Sequence, residues 1–260
     1  MCTEPNKVTG PDGLARFVAC RNCESCRRSR VDDLVGRCAA EARSADQTYF
    51  VTLTYSGGDE NPHAHQLVYS DIQKMFKRLR KAPYNVRYMC VGEFGSKKGR
   101  AHWHLILFVR GRDFLIPLNE RIRWKYWPHG FSHFEIPRYK AYRYCLKYAL
   151  KEQSLAVSRA TLMMSKKPIL GYDFILDLAK KYVAQGLTPQ SYQYTVPTEF
   201  NKDGELYEFY LQGKGREVFM DTFWAIWKWR YPDRIIDFPH SDILIEYLDG
   251  VARAEADRLS

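Results

Sequence analysis

The 260-residue chain lacks any run of 18 apolar residues, which excludes a membrane-spanning helix. Its polar start, Met1 to Gly10, lacks the apolar stretch of a secretory signal, so none is expected. Internal repeats and low-complexity tracts are missing as well. The seven cysteines are an odd count, and without a signal a disulfide framework is not expected. These absences point to a soluble protein of a reducing cytoplasm, with no membrane partner. What is present excludes a disordered or fibrous chain: 45% of the residues are hydrophobic and 27% charged. The length suits one large domain or two small ones.

The formal net charge is +10, and it is unevenly spread. Residues 70–100 hold nine basic and two acidic side chains, and residues 121–152 hold eight and two. Residues 195–260 hold eight basic against thirteen acidic. A basic first part with 15% aromatics overall is the footprint of a polyanion binder. A merely solvated basic surface would give the same arithmetic.

The pattern of elements is legible in the middle of the chain. Tyr49 to Tyr55 is β-branched and aromatic and reads as a strand. Ile72, Met75, Phe76 and Leu79 recur at helical spacing, with Ser70 as the expected N-cap and Pro83 as the stop. Val86 to Phe94 and His102 to Val109 read as strands joined by Gly95-Ser-Lys-Lys-Gly-Arg100. A helix over 117–127, a strand from Gly130 to Ile136 and a helix from Tyr139 to Glu152 are expected next. Upstream, Val31, Leu34, Val35, Cys38, Ala39 and Ala42 predict a further helix. From residue 49 the order is β-α-β-β-α-β-α. That order implies an α+β fold, a ferredoxin-like or RRM-like antiparallel sheet with helices packed on it. Beyond residue 153, Thr195 to Leu211 reads as a hairpin turning at Asp203-Gly204. Phe223, Trp224, Ile226, Trp227 and Trp229 read as an aromatic helix, first of all a core element.

Three features carry chemistry. His102-Trp103-His104 lies inside an apolar strand, so both imidazoles point to one face. A same-face pair is costly to bury and reads as a metal ligand set. Glu93 ends the preceding strand, and the short hairpin brings it close to the pair. A His-His-carboxylate set suits Mg²⁺ or Mn²⁺ acting on phosphate, and also admits Zn²⁺. The third feature is Tyr144-Cys-Leu-Lys147-Tyr148-Ala-Leu-Lys151. Tyr144 and Tyr148 share a helix face, and Lys147 and Lys151 repeat the same interval. Tyrosine is a weak nucleophile at its free pKa and needs a metal and a cation to act on a phosphodiester. Taken alone, tyrosines at this spacing read as core.

Together these residues resemble the HUH endonucleases of rolling-circle replication. The order Phe50-Val-Thr-Leu-Thr-Tyr55, Glu93…His102-Trp-His104, and a duplicated Tyr-x-x-Lys block is similar to the three motifs of the replication initiators. The two tyrosines spaced by four resemble the microvirus initiators. The leader Cys20-x-x-Cys23-x-x-Cys26-Arg before a helix looks like the gokushovirus branch of the Microviridae. The resemblance covers roughly residues 20–152. It implies that Glu93, His102 and His104 bind one divalent ion that polarises the scissile phosphate of single-stranded origin DNA. It implies that one tyrosine attacks, leaving a 5′-phosphotyrosine and a free 3′-OH for the host replication machinery. The second tyrosine would then cut the regenerated origin and allow religation. Lys147 and Lys151 would be electrostatic partners, and the protein would act in the host cytoplasm. The organisation then reads as a cysteine-rich basic segment and helix over 1–45, a nickase domain over 46–155 and an α+β extension without assigned role over 156–260.

Lys97, Lys98 and Arg100 flank the His-x-His hairpin and are the favoured DNA contacts, with Lys74, Lys77 and Arg78 as further candidates. Trp103 and Trp124 could stack bases, although Trp103 points away from the histidines and reads first as core. Cys20, Cys23 and Cys26 with Cys38 could make a structural zinc site, but Cys38 falls within a helix and no second Cys-x-x-Cys exists. His63-Ala-His65 lies in a Pro/Gly loop and reads as a decoy. Three alternatives stay open: a non-catalytic single-strand binding module, a metal-dependent hydrolase, and another HUH enzyme such as a relaxase or transposase.

Overall fold

The computed structural model describes residues 2–10, 13–137, 141–146, 162–200 and 206–234. It divides the chain into two units, Met1–Leu170 and Gly171–Ser260. The first unit opens with a hairpin of β1 (Asn6–Thr9) and β2 (Ala15–Val18), followed by α1 (Glu24–Arg43). Then come β3 (Gln47–Tyr55), α2 (Tyr69–Lys81), β4 (Asn85–Phe94) and β5 (Ala101–Arg110). β6 (Arg121–Ile122), β7 (Gly130–Glu135), the helical residues 141–146 (α3) and β8 (Met163–Met164) complete it. Six strands form one sheet in the order β6-β7-β3-β5-β4-β8, with every neighbouring pair antiparallel. The unit is α+β, as the element pattern implies.

The period-2 alternation of the strands separates two faces. Val51, Leu53, Trp103, Leu105, Leu107 and Phe134 point to one face and pack with Ile72, Met75, Phe76 and Leu79 of α2. The other face receives α1, whose Cys38 Sγ lies 3.5 Å from Met89 Sδ on β4. The wholly buried Glu41 of α1 fixes this arrangement, meeting Arg87 Nε at 3.2 Å and Arg110 Nη2 at 3.1 Å. α3 is tied to α1 by Arg143 Nη2, 2.6 Å from Asp32 Oδ1, and buries Tyr142, Cys145 and Leu146. At the start of β7, a Cβ on Gly130 would stand 1.9 Å from the Thr54 carbonyl oxygen, so only glycine lets the two strands close here.

Two expectations need correction. No helix spans 117–127; the segment is irregular apart from β6. Asn119 takes the left-handed conformation (φ 61°) and donates its N–H to the Phe134 carbonyl at 2.8 Å. Trp124, Tyr126 and Trp127 are then buried in close succession as an aromatic plug, and Trp127 Nε1 donates to the Thr54 carbonyl at 3.0 Å. The second correction is the start of α2. The helix begins at Tyr69 behind Val68, so Ser70 lies inside it, and Val68 gives no side-chain cap. The helix α1 is also longer than its apolar repeat, because it runs back through Cys26 to Glu24.

The second unit holds α4 (Tyr172–Ala184), the antiparallel pair β9 (Gln193–Phe200) and β10 (Leu206–Tyr210), and α5 (Gly213–Arg230). The hairpin agrees with the sequence expectation; its turn, Asp203-Gly204, lies outside the described residues. In α5, Phe223 and Trp227 are buried, as the core reading requires, whereas Trp229 is 81% exposed. Among the described residues no helix is long and apolar enough to cross a membrane.

Candidate active site

The site is built on the sheet face opposite α2. Register places Glu93 directly across from His102, and Val91 across from His104. On the other side of β5, Thr54 faces His102 and Thr52 faces His104. The antiparallel ladder therefore gathers Glu93, His102, His104, Thr52 and Thr54 on one surface. The turn that permits this closes with Gly95 N–H donating to the Arg100 carbonyl at 2.8 Å and Gly99 N–H to the Gly95 carbonyl at 2.9 Å. Arg100 then reaches back, its Nη2 donating to the Tyr55 carbonyl at 2.8 Å.

His104 is the best-held member. Its ring stacks on Phe50 with centroids 5.7 Å apart and an interplanar angle of 5°. Nδ1 lies 3.2 Å from Thr52 Oγ1, and Nε2 lies 3.0 Å from Glu93 Oε2. The Nε2–Oε2 approach is close but not aligned as a hydrogen bond, and Glu93 Oε2 is buried without a hydrogen-bond partner. An Nδ1–H donated to Thr52 leaves the Nε2 lone pair facing the carboxylate, which is a donor pair awaiting a cation. His102 Nδ1 is likewise buried without a hydrogen-bond partner. Burial first, and then the neighbouring His104, lower the His102 pKa and keep its imidazole neutral. The two imidazole centroids are 6.4 Å apart, so His102 flanks the His104–Glu93 pair without closing on it. Its Nε2 faces Gly95, where a Cβ would stand at 3.2 Å.

Tyr144 comes to the same place from α3. Its ring meets His104 edge-on at 5.5 Å and Phe50 edge-on at 6.2 Å, and the residue is 41% exposed. The structure thus brings Glu93, His104 and Tyr144 together, with His102 beside them. Tyr148, Lys147 and Lys151 lie outside the described residues.

A cleft of about 300 Å³ opens beside His102. Thr52, Thr54, Arg100 and His102 form one wall, and Arg121, Phe131, Ser132 and His133 form the other. Arg121 and Arg123 stack over Phe131, with guanidinium carbons 3.7 and 4.1 Å from the ring centroid. A helix over 117–127 would hide this basic wall, which is why sequence reasoning misses it. The signal that could have found it is the alternation Phe131-x-His133-x-Glu135, which puts these side chains on the histidine face.

The expected DNA contacts divide. Lys97 and Lys98 are exposed on the β4–β5 turn, and Arg100 lines the cleft. Lys98 pairs with Asp59. Lys74, Lys77 and Arg78 stand on α2, which packs on the opposite face of the sheet, so they do not join the histidines. Trp103 and Trp124 are buried and not available to stack bases; Trp103 Nε1 donates to Tyr55 Oη at 3.1 Å. His65 is engaged with backbone carbonyls, Nε2 2.8 Å from that of Asp59 and Nδ1 3.3 Å from that of Gly99. Away from this face, Cys20, Cys23 and Cys26 converge with Cys2. Cys38 is not part of that group. It is buried against Met89, and burial pushes its thiol up to about 12.

Residues 48–153 match a family model of replication-associated proteins, the one described by the name ORF2. The chain is 38% identical over 98 residues to the replication-associated protein ORF4 of Chlamydia phage 1, which covers 35% of this chain and 24% of that protein. It is 30% identical over 159 residues to the replication-associated protein VP4 of Bdellovibrio phage phiMH2K, covering 54% and 50%. It is 27% identical over 171 residues to the replication-associated protein ORF2 of Spiroplasma virus 4, covering 58% and 53%. The chain thus spans between a quarter and about half of the length of these relatives. No solved structure matches it. The matched segment contains the whole Glu93–His104–Tyr144 site.

Proposed function

We propose that this chain, a relative of the Microviridae replication-associated proteins, is a rolling-circle replication initiator that cuts and rejoins single-stranded origin DNA through its tyrosines. The observation that carries the reading is the convergence on one sheet face of the unbonded Glu93 Oε2, His104 Nε2 and the ring of Tyr144. The order of the four long strands, β7-β3-β5-β4, is that of a split βαβ, ferredoxin-like unit and supports an HUH-type domain.

The donor set fits a divalent cation: one buried carboxylate oxygen and two imidazoles, with two of the donor atoms lacking hydrogen-bond partners. Mg²⁺ or Mn²⁺ held by Glu93, His102 and His104 would supply Lewis-acid polarisation of the phosphodiester. Tyr144 or Tyr148 attacks phosphorus through its phenolic oxygen. The P–O bond to the 3′ oxygen breaks, the tyrosyl proton ends on that oxygen, and the 5′ phosphate stays on the enzyme. The 3′-OH is left free for a host polymerase. The second tyrosine repeats the exchange at the regenerated origin, and the released 3′-OH attacks the first phosphotyrosine and reseals the strand. Each exchange conserves one phosphodiester, so no nucleotide is consumed. Lys147 and Lys151 offset charge at the phosphate. Arg100 and Arg121, with Lys97 and Lys98, lead the strand to the cleft in the host cytoplasm.

The test is a denaturing gel of protein incubated with single-stranded circular phage DNA and Mn²⁺ or Mg²⁺, with EDTA as control. A metal-dependent covalent band that is lost in Tyr144→Phe/Tyr148→Phe, while DNA binding persists, is expected. Nicking retained in the double variant would overturn the assignment.

A further inference from the structure

The N-terminal segment holds a second cluster of ligating side chains, outside the segment matched by the family model. Cys2, Cys20, Cys23 and Cys26 place their sulfurs within 4.8 Å of one another, and among the described residues this is the only such group of three or more His, Cys, Asp or Glu. We propose that these four thiolates bind a structural Zn²⁺ that pins the β1–β2 hairpin to the start of α1.

The spacing of the sulfurs decides between a metal and disulfides. Cys20 Sγ lies 3.9 Å from Cys26 Sγ, and Cys23 Sγ lies 3.9 Å from Cys2 Sγ. A disulfide needs about 2.05 Å. Four sulfurs at about 2.3 Å from a central Zn²⁺ in a tetrahedron stand about 3.8 Å apart. The measured separations match the tetrahedron. The local backbone is shaped for thiolates as well: Cys23 N–H donates to Cys20 Sγ, and Cys20 N–H donates to Cys2 Sγ, each at 3.3 Å. Arg21 takes a left-handed φ of 65° between Cys20 and Cys23, which turns the chain so that both sulfurs face inward. Cys23 is the N-cap of α1 and Cys26 lies in its first turn, where the helix dipole favours negative charge.

The site also accounts for a stability problem. β1 and β2 have four residues each and form a separate two-stranded sheet. Such a hairpin is marginal in water without further support. Val8, Leu14, Phe17 and Val18 are exposed, so no apolar face of it is covered. The ends are held instead by Cys2, just before β1, and Cys20, just after β2. The fourth ligand is therefore Cys2 from the chain start and not Cys38, which the α1–β4 contact buries.

The experiment is metal analysis of the full chain, purified without added metal and under reducing conditions, alongside His102→Ala/His104→Ala to remove the sheet-face set. One zinc per chain is expected in both, released by a thiol-modifying mercurial. Cys38→Ser should keep the full zinc content, and Cys2→Ser or Cys23→Ser should lose it. Co²⁺ taken up by metal-stripped protein should give the thiolate charge-transfer and intense d–d bands of a tetrahedral sulfur site. Hydrogen exchange should speed up over residues 2–30 on stripping, with the β3–β5 sheet still protected. Absence of stoichiometric zinc, zinc that survives Cys2→Ser, or mass-mapped Cys20–Cys26 and Cys2–Cys23 disulfides in the reduced preparation would overturn the proposal. None of these outcomes bears on the DNA adduct, so the two readings stand or fall separately.

Discussion

Thr52→Val is the most informative change to the sheet-face site. The two side chains are nearly isosteric, so the strand and its packing survive, and only Oγ1 is lost. In the native site Thr52 Oγ1 lies 3.2 Å from His104 Nδ1, while His104 Nε2 lies 3.0 Å from Glu93 Oε2. Phe50 stacked on the ring prevents it from turning to another acceptor. Without Oγ1 a buried Nδ1–H has no partner, at a cost of roughly 1–3 kcal/mol. The ring relieves this by moving the proton to Nε2, where it donates to Glu93 and competes with the cation for both donor atoms. Loss of such an orienting partner weakens metal affinity by about 10–100-fold. That corresponds to about 1.4–2.8 kcal/mol. The assay is the Mn²⁺ concentration at half-maximal adduct formation on single-stranded DNA. It should rise by that factor in Thr52→Val, with the plateau at saturating Mn²⁺ preserved, and Thr52→Ser should restore it. An unchanged midpoint in a folded Thr52→Val protein would refute the orienting role; a collapsed plateau would show that Thr52 does something other than tune metal affinity.

His102→Ala should abolish metal-dependent cleavage and leave single-strand binding intact, measured by gel and by fluorescence anisotropy on the same oligonucleotide. Arg121→Ala should lower the slope of log K against log salt by about 0.7, the value for one phosphate contact on a single strand; an unchanged slope would remove Arg121 from the DNA path. Glu41→Ala should destabilise the protein by about 3 kcal/mol, at the low end for a broken buried pair because Arg87 and Arg110 keep side-chain exposures of 14% and 29%. A urea midpoint shift worth less than about 1 kcal/mol would show that the two arginines resolvate freely.

Much of the sheet is legible in the sequence because its strands obey period 2 and its hairpin is short. His102, His104 and Glu93 can be placed on one face from spacing alone, and the ladder has them there. Three things are less legible, each for a physical reason. Residues 117–127 carry apolar side chains at helix-like intervals, but the conformation at Asn119 and the three buried aromatics are tertiary features. The helix α4 goes unread although Ile175, Ala179 and Val183 recur at four-residue steps and are buried. The fourth cysteine cannot be chosen from spacing, because Cys2 reaches the cluster only through the turn of the β1–β2 hairpin. The basic residues of α2 read as a DNA track for a similar reason: linear charge density does not say which face of a sheet a helix covers.

The residue between the two histidines links these observations. Trp103 is wholly buried on the α2 face and donates to Tyr55 Oη, which in turn meets Asp71 Oδ2 at 3.4 Å in the first turn of α2. A strand slipped by one residue would expose Trp103 and drive both imidazoles into the α2 core. The large apolar ring therefore fixes the register that presents His102 and His104. Gly92, directly opposite Trp103, makes room for it, since a Cβ there would stand 3.0 Å from the indole and 2.8 Å from Leu67. Site geometry and core packing are thus specified by the same three-residue stretch, in which the histidines carry the chemistry and the tryptophan determines where they point.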